Sequence, residues 1–485
     1  MLQLSSSRPV SELLVHRHLR RQRYLIAGVL VACGLLFAHL ALRTPYVHVP
    51  DRLGGVETVD ISVPSSFYRR PPAEHYRQHV DRLFAPWRCL ADDDESSFCK
   101  KPVTPQSLSA LEWLGKGGSY RIRFTGTDIL YRPLVHFGQT YRIQRLHWIM
   151  DTIREMADAG MLTRTVNGRP EPVRFDAVFR VGDSPQVTKD TLSKDAGYLL
   201  FGLRSSPLHL DVPIPDPPAY GSNGNYVWPP RSELHSWDEK VDKVVFRGSA
   251  SFSFGVDNWQ TNNRIRLAEL SHKYPHLIDA GLTQFRPKEM LPLTSEDFAK
   301  GRSFFELPSA SRIQTMSNLT EAEPLSMVEQ SGYKYIIDVD GGLGSSRRVG
   351  LLQSGSVPFF VDSPYFGNFE PTLRPWVHYV PVDEYLADLP AKVEWLRAHD
   401  GHAKFIVRNA IAFAEAYLSK QAAMEQFAQM LAAYADLQSP EVDLDDSPVL
   451  TDFCDTPGGK ALMMKGPQGC DKGWKTWHGS KDAVA

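Results

Sequence analysis

The stretch from Tyr333 to Val361, YKYIIDVDGGLGSSRRVGLLQSGSVPFFV, decides the predicted fold. Its apolar run Tyr335–Val339 predicts a strand, which ends at a glycine-rich turn, Gly341–Ser345. Residues 348–353 then predict a short helix, and the apolar run Val357–Val361 predicts a second strand. Because a strand, a turn, a helix and a strand follow one another, the sequence predicts a parallel sheet with covered faces.

The same pattern extends on both sides of this stretch. Upstream, Lys243–Phe246 predicts a strand that is closed by Arg247-Gly248-Ser249, and Asn263–His272 predicts a helix. Leu277–Leu282 predicts the next strand, and downstream Val377–Val382 predicts the last. Residues 241–420 are therefore predicted to form one α/β domain.

An earlier α/β unit precedes this domain. Apolar residues at helical spacing between Tyr141 and Met161 predict an amphipathic helix, and Phe175–Val181 predicts a strand. That strand ends at Gly182-Asp183-Ser184-Pro185. Residues 211–231 are rich in Pro, Gly and Asn, which is typical of a crossing between domains.

The composition is that of a globular protein. Of the 485 residues, 42% are hydrophobic and 23% are charged, which suits two or three domains with sizeable cores. The formal net charge of −2 shows no basic excess, so no nucleic-acid partner is expected.

The N-terminal segment Tyr24–Leu42 has 19 residues and no formal charge. A helix of that length rises about 28 Å, close to the thickness of the hydrocarbon core of a bilayer. Arginines are concentrated before it, at positions 17–23, which predicts a cytosolic N-terminus and a lumenal chain. The expectation is an uncleaved signal-anchor of a type II protein of the Golgi or endoplasmic reticulum; the alternative is a cleaved signal peptide.

The cysteines and one sequon agree with that compartment. Cys33 lies in the apolar segment, while Cys89 with Cys99 and Cys454 with Cys470 form two close pairs. We expect two local disulfides, and four free thiols are the alternative. Asn318-Leu319-Thr320 is an N-glycosylation sequon.

Three polar turns carry the chemistry predicted from the residues themselves, because ligands of α/β sheets bind beyond the carboxyl ends of the strands. Glycine, serine and arginine in Arg247-Gly248-Ser249 and in Gly341–Arg347 suit a diphosphate, and Asp183 offers a carboxylate as a general base. Each has a structural alternative: Asp183 could cap a turn, Arg247 could form an ion pair, and the glycines could serve only a tight connection.

Four ordered stretches resemble glycosyltransferase family 90, which includes fungal capsule-associated xylosyltransferases and animal protein O-glucosyltransferases. They are Val178–Val187, Lys243–Ala280, Tyr333–Val357 and Leu373–Val382. The resemblance covers roughly residues 110–420. Asp340 stands where the animal O-glucosyltransferases carry arginine, and the turn DVDGGLGSSR is more similar to the fungal and plant branch.

The resemblance implies a GT-B-like fold, with two Rossmann-like domains facing a cleft, preceded here by a single transmembrane helix. It implies that Asp183 is the catalytic base of an inverting transferase that needs no metal or other cofactor and uses a UDP-sugar donor. The acceptor is then a hydroxyl of a glycan or glycoprotein, and the sugar xylose or glucose. The residues assigned to the donor are Arg231, Arg247, Gly248, Ser249, Arg264, Gly342, Leu343, Gly344, Ser345, Ser346 and Arg347.

Three other functions stay open at this level: a catalytically silent glycan-binding protein on the same fold, a protein O-glucosyltransferase acting on Ser or Thr, and a metal-dependent transferase. Asp338-Val339-Asp340 resembles the Asp-x-Asp that holds Mn²⁺ in other transferases, but here it is predicted to end a strand. The predicted domains are 1–23 (cytosolic), 24–43 (anchor), 44–109 (stem), 110–240 (acceptor and base), 241–420 (UDP-sugar) and 421–485 (helix and irregular tail).

Overall fold

A computed structural model describes residues 46–51, 55–64, 66–87, 103–114, 118–133, 140–166, 168–188, 198–220, 230–251, 259–286, 310–341, 344–442, 444, 475–477 and 479. No helix within these ranges is both long and apolar enough to cross a bilayer. The expected fold class, in which a transmembrane helix precedes the α/β fold, is corrected on this point. The predicted anchor Tyr24–Leu42, the cysteines, Gly342 and Leu343 lie outside the described residues.

The secondary structure alternates strands and helices. The strands are β1 (Tyr46–Pro50), β2 (Val56–Asp60), β3 (Ser119–Phe124), β4 (Ile129–Pro133), β5 (Thr163–Val166), β6 (Arg169–Pro172), β7 (Phe175–Arg180), β8 (Leu200–Gly202), β9 (Val212–Pro213), β10 (Val241–Ser251), β11 (Ile278–Arg286), β12 (Tyr333–Asp338), β13 (Val357–Val361), β14 (Val380–Val382) and β15 (Lys475–Thr476). The α-helices are α1 (Pro72–Phe84), α2 (Pro105–Leu114), α3 (Thr140–Asp158), α4 (Asn263–Lys273), α5 (Ala310–Ser317), α6 (Met327–Ser331), α7 (Arg348–Leu351), α8 (Leu389–Ala398), α9 (Asp400–Tyr417) and α10 (Lys420–Ala435).

The chain forms two compact units. Of the described residues, the smaller holds 46–49 and 56–63, with β2 and all but the last residue of β1. The larger holds the other described residues and both of the larger sheets.

One sheet of the larger unit has the strand order β15-β4-β3-β7-β8-β9. Strands β7, β8 and β9 are parallel, whereas β15, β4, β3 and β7 pair antiparallel, so this sheet is mixed. Buried arginines on β3 are neutralised by β7, since Arg121 and Arg123 each lie 2.7 Å from a carboxylate oxygen of Asp176. Tyr434 of α10 also donates to the Asp176 carbonyl at 2.8 Å, which fixes α10 against the sheet.

The other sheet has the order β11-β10-β12-β13-β14 and is parallel throughout, as the sequence predicted. Its central strands are apolar and buried, with Val245, Ile336 and Phe359 at 0% exposure. From β10 the chain passes first to β11 on one side and then to β12 on the other. The topological switch point, where ligands of such sheets bind, is therefore the carboxyl end of β10 and β12.

The carboxyl ends of the parallel strands of both sheets meet. Ser205, shortly after β8, exchanges two backbone hydrogen bonds of 2.9 and 3.0 Å with Phe366, which follows β13. Arg204 reaches Ser346 in the turn Gly341–Arg347, which is called the glycine turn from here on, with 3.4 Å between Nη2 and Oγ. The sheet edges where ligands are expected therefore face each other.

Two buried and two half-buried histidines make the stability of the fold depend on pH. Burial lowers the pKa of His75, His79 and His402 to about 4 and that of His378 to about 3. For His378 the geometry gives a direct reason, because Nδ1 accepts the backbone N–H of Arg374 at 3.0 Å and cannot also hold a proton.

We expect the melting temperature to fall as the pH is lowered from 7.5 to 5. In the unfolded chain these histidines have a pKa near 6.5 and are protonated at pH 5, whereas in the folded protein they stay neutral. Each histidine therefore lowers the free energy of unfolding by on the order of 1–2 kcal/mol at pH 5. Burial raises the pKa of Asp211 to about 6 and also raises the pKa values of Asp340 and Glu269, and these carboxyls act in the opposite direction. The four histidines outnumber them. Thermal unfolding followed by circular dichroism measures how the melting temperature changes with pH. A melting temperature that is independent of pH between 5 and 7.5 would contradict this prediction.

Candidate active site

Arg264 joins the two strand ends at the switch point. It lies in the first turn of α4, where the side chain of Asn262 caps the helix by accepting the backbone N–H groups of residues 264 and 265 at 3.0 and 3.2 Å. Its Nη1 donates to the Ser249 carbonyl at 2.8 Å, and Nε and Nη2 donate to the Val339 carbonyl at 3.1 and 2.9 Å. A fixed positive charge therefore lies between the ends of β10 and β12.

A second guanidinium, that of Arg347, lies beside the first. The Phe246 ring is 5.6 Å from Cζ of Arg264 and 5.9 Å from Cζ of Arg347, so both cations approach the same aromatic ring. Arg347 Nη2 donates to Gln330 Oε1 at 2.8 Å. Two cations around one buried ring suit the two phosphates of a nucleoside diphosphate.

The glycine turn packs closely on two arginines. Gly344 has φ of +102°, and a Cβ at this position would lie 2.6 Å from Nε of Arg204. A Cβ at Gly341 would lie 3.0 Å from Nη2 of Arg264. Glycine is therefore required at 344 by both its backbone conformation and its neighbour.

The serines of this turn have different partners. Ser345 is buried, and its Oγ donates to Asp338 Oδ1 at 2.7 Å, which ties the turn to the last residue of β12. Ser346 Oγ lies 3.4 Å from Nη2 of Arg204. These contacts hold the described part of the turn on both sides.

Asp338, the first acid of the Asp-x-Asp stretch, forms a buried pair with Arg348 that was not predicted from the sequence. Arg348 Nε donates to Asp338 Oδ2 at 2.9 Å, and its Nη2 lies 3.5 Å from Asp340 Oδ1. Burial alone would raise the pKa of Asp338, but Arg348 and Arg347 hold it below its ordinary value. Both oxygens of this carboxylate are therefore engaged, and the described residues contain no cluster of three acidic, His or Cys side chains arranged for a metal.

Arg247-Gly248-Ser249 was predicted to close the strand after Phe246, but this prediction is wrong, because β10 continues through these residues to Ser251 and pairs with β11. Arg247 Nη2 pairs with Asp279 of the neighbouring strand β11 at 2.7 Å, which is the ion pair considered as its alternative. Gly248 lies against Phe246, since a Cβ there would lie 2.9 Å from the ring. The strand register shifts between Gly248 and Ser249, and the Ser249 carbonyl accepts from Arg264.

Arg231 is placed elsewhere. Its side chain is 65% exposed and lies 3.1 Å from Glu415 of α9. It lines a pocket with Lys240, which precedes β10, so it lies at the amino ends of the strands. The structure does not bring Arg231 together with Arg264 and Arg347.

Asp183 lies at the carboxyl end of β7. Its carboxylate is 45% exposed and accepts a hydrogen bond of 2.8 Å from Nη1 of Arg145, which also donates to the Val181 carbonyl. Arg180 fixes the turn by donating to Ser184. The carboxylate is thus oriented yet open to solvent, as a general base requires.

Arg145 and Arg204 were not predicted from the sequence as site residues. Arg145 shares a helix face with the buried residues Ile149 and Ile153. An arginine among apolar residues at helical spacing is unusual, and this pattern in the sequence could have indicated that Arg145 has a role inside the fold. Arg204 lies beyond β8 and pairs with Asp216 at 2.7 Å, and no local pattern marks it. Because β7 and β8 are adjacent and parallel, Asp183 and Arg204 lie on the same edge of the sheet, and Arg204 contacts the glycine turn.

The sequence model of glycosyl transferase family 90 matches residues 130–458, more than half of the chain. The chain belongs to this family. Among its relatives, protein O-glucosyltransferase 3 of Homo sapiens is 29% identical over 211 residues, which are 44% of this chain and 35% of that protein. Uncharacterized protein 035R of Invertebrate iridescent virus 3 is 32% identical over 201 residues, 41% of this chain and 17% of the viral protein.

A third relative, protein O-glucosyltransferase 1 of Rattus norvegicus, is 24% identical over 284 residues, 55% of this chain and 59% of that protein. The chain therefore matches 17% to 59% of the length of these relatives, less than two thirds in each case.

Replacing Gly344 is expected to damage the candidate donor site of this family 90 protein specifically. Gly344→Ala strains the positive φ and pushes Arg204, so UDP affinity is expected to fall about tenfold or more, measured by calorimetry. Gly168→Ala is the matched control, because φ there is +77° but nothing lies within 4 Å of the added Cβ. Equal UDP affinities of the two variants would argue against the turn as donor site.

Proposed function

We propose that the protein is an inverting glycosyltransferase that moves a sugar from a UDP-sugar to a hydroxyl group of a glycan or glycoprotein. The observation that carries the proposal is the placement of two arginines at the switch point of the parallel sheet, opposite the edge that bears Asp183. Membership of family 90 supports the same reaction class.

In the proposed reaction the acceptor oxygen attacks the anomeric carbon while Asp183 takes up its proton. The bond between that carbon and the diphosphate oxygen breaks, and UDP leaves with the bonding electrons on the opposite face, which inverts the configuration. Arg264 and Arg347 supply positive charge where the leaving diphosphate becomes more negative. Because both guanidinium groups are held by hydrogen bonds before substrate arrives, little reorganisation is needed.

We propose that no metal ion is needed. The carboxylate of Asp338, the first acid of the Asp-x-Asp stretch, already receives Ser345 and Arg348 on its two oxygens. Asp340 lies near Nη2 of the same arginine. The positive charge that Mn²⁺ supplies in other transferases is assigned here to arginine side chains.

The transferred sugar is proposed to be glucose or xylose. Relatives named protein O-glucosyltransferase favour glucose and a protein acceptor, whereas the Asp340-containing turn favours the fungal and plant branch. The two sugars differ by one hydroxymethyl group, so both belong in the test.

The test is UDP release from UDP-glucose, UDP-xylose and other UDP-sugars, each with glycan and glycoprotein acceptors and with or without EDTA. We expect turnover with one of the two named donors, undiminished by EDTA, and a product of inverted anomeric configuration. Loss of activity on chelation, restored by Mn²⁺, would contradict the metal-independent mechanism. Binding of UDP or glycan without turnover of any donor would favour the catalytically silent alternative.

A further inference from the structure

The pocket that Arg231 and Lys240 line lies at the edge of the parallel sheet opposite the candidate donor site. Lys240, which lines it, directly precedes β10 and donates hydrogen bonds to the Ser331 carbonyl and, at 3.3 Å, to Ser356 Oγ, residues just before β12 and β13. The donor-site arginines lie at the carboxyl ends of the same strands. Since β12 has six residues at about 3.3 Å each, roughly 20 Å of strand separates the two sites.

The lining of this pocket is basic. Its volume is about 380 Å³, and the described residues that line it include Arg231, Lys240, Lys404 and Arg408 but no Asp or Glu. The chain as a whole has a net charge of −2, so a basic excess here is local. Pockets of this volume lie within the range that binds small molecules.

Two of these cations are balanced by acids outside the pocket, and two are not. Arg231 pairs with Glu415, and Lys404 lies 3.0 Å from Asp400. Within the part of the chain that the structure describes, Lys240 and Arg408 form no ion pair. Lys240 is only 6% exposed, and burial lowers its pKa to about 8.

Among the described residues, the buried ammonium of Lys240 is bound by a carbonyl and a hydroxyl and by no carboxylate. Burying a positive charge is unfavourable unless an opposite charge lies beside it, so this ammonium is incompletely stabilised. Gly355 lies beside the ammonium, since a Cβ there would be 3.9 Å from Nζ. Leu234, Val407 and Ile411 supply apolar surface beside the cations. A ligand that suits this wall combines an anionic group with a body that has apolar C–H surface.

We propose that this pocket binds an oxyanion, a carboxylate or a phosphate, carried on a molecule the size of a sugar. The anion contacts Lys240 and Arg408, and the body of the ligand rests on the apolar wall. The site is independent of the proposed transfer reaction and does not require it.

The test is calorimetric titration of the purified protein, saturated with UDP so that the donor site is filled, with glucuronate, glucose 6-phosphate, inorganic phosphate and glucose. Glucuronate and glucose 6-phosphate distinguish a carboxylate ligand from a phosphate ligand, inorganic phosphate tests the anion alone, and glucose tests the neutral body.

We expect at least one anionic probe to bind and glucose not to bind. Arg408→Gln, an exposed change that leaves the core intact, is expected to raise the Kd about tenfold, a loss of about 1.4 kcal/mol. Lys273→Gln on α4, an exposed lysine outside the pocket, is the matched control and should leave the Kd unchanged. Failure of every anion to bind up to about 10 mM, or equal binding to Arg408→Gln and the parent protein, overturns the proposal.

Discussion

Asp183→Asn is expected to lower kcat by about 10²–10⁴-fold while leaving UDP affinity nearly unchanged. The amide cannot accept the proton of the acceptor hydroxyl, but its oxygen can still accept the hydrogen bond from Arg145, so the turn keeps its geometry. A loss confined to turnover therefore reports the missing base and not a displaced loop.

The measurement is steady-state kinetics with whichever UDP-sugar supports turnover in the test described under the proposed function, together with the Kd for UDP. Asp128→Asn, an exposed carboxylate in the turn between β3 and β4, controls for the loss of one negative charge. Turnover of Asp183→Asn within a few-fold of the parent would remove Asp183 from the role of base.

Arg264→Ala is expected to lower kcat/KM by about 10²–10³-fold and to weaken UDP binding. The change deletes a cation at the switch point and also releases the carbonyls of Ser249 and Val339, which the guanidinium joins. Arg264→Lys keeps the charge but cannot span both carbonyls with a planar group, so an intermediate loss is expected.

Arg266→Ala is the matched control for this prediction. Arg266 lies on the same helix, but its guanidinium stacks over Tyr385, 5.1 Å from the ring centroid, away from the switch point. Its removal should leave UDP affinity unchanged. If Arg264→Ala binds UDP as tightly as Arg266→Ala does, the donor site lies elsewhere.

Local patterns in the sequence predicted much of the parallel sheet β11-β10-β12-β13-β14 correctly. Strands β10 to β14 were expected from apolar runs that end at glycine or polar residues, and the structure shows them parallel. The patterns succeed here because strand, turn and helix preferences act over a few residues. The mixed sheet, which contains β15, β4, β3, β7, β8 and β9, was harder to predict from the sequence. Its strand β15 comes from the C-terminal tail, which shows little periodicity, and pairs with β4, which is distant in the chain.

The placement of individual arginines could not be predicted in the same way. Arg231 and Arg247 were both assigned to the donor from their position in the chain, yet one pairs with Glu415 and the other with Asp279. Arginine is long and can reach several neighbours, so the partner is decided by which charges the fold brings near it.

The sequence by itself determined the family, the order of strands and helices around the glycine turn, and the position of Asp183 just beyond a buried strand. These follow from residues close together in the chain, whose conformational preferences and spacing need no distant partner. Only the tertiary structure decided that Arg264 joins β10 to β12, that Arg204 reaches the turn from the other sheet, and that Lys240 and Arg408 share a pocket. Each depends on residues tens to hundreds of positions apart, and their approach is set by how the sheets and helices pack together.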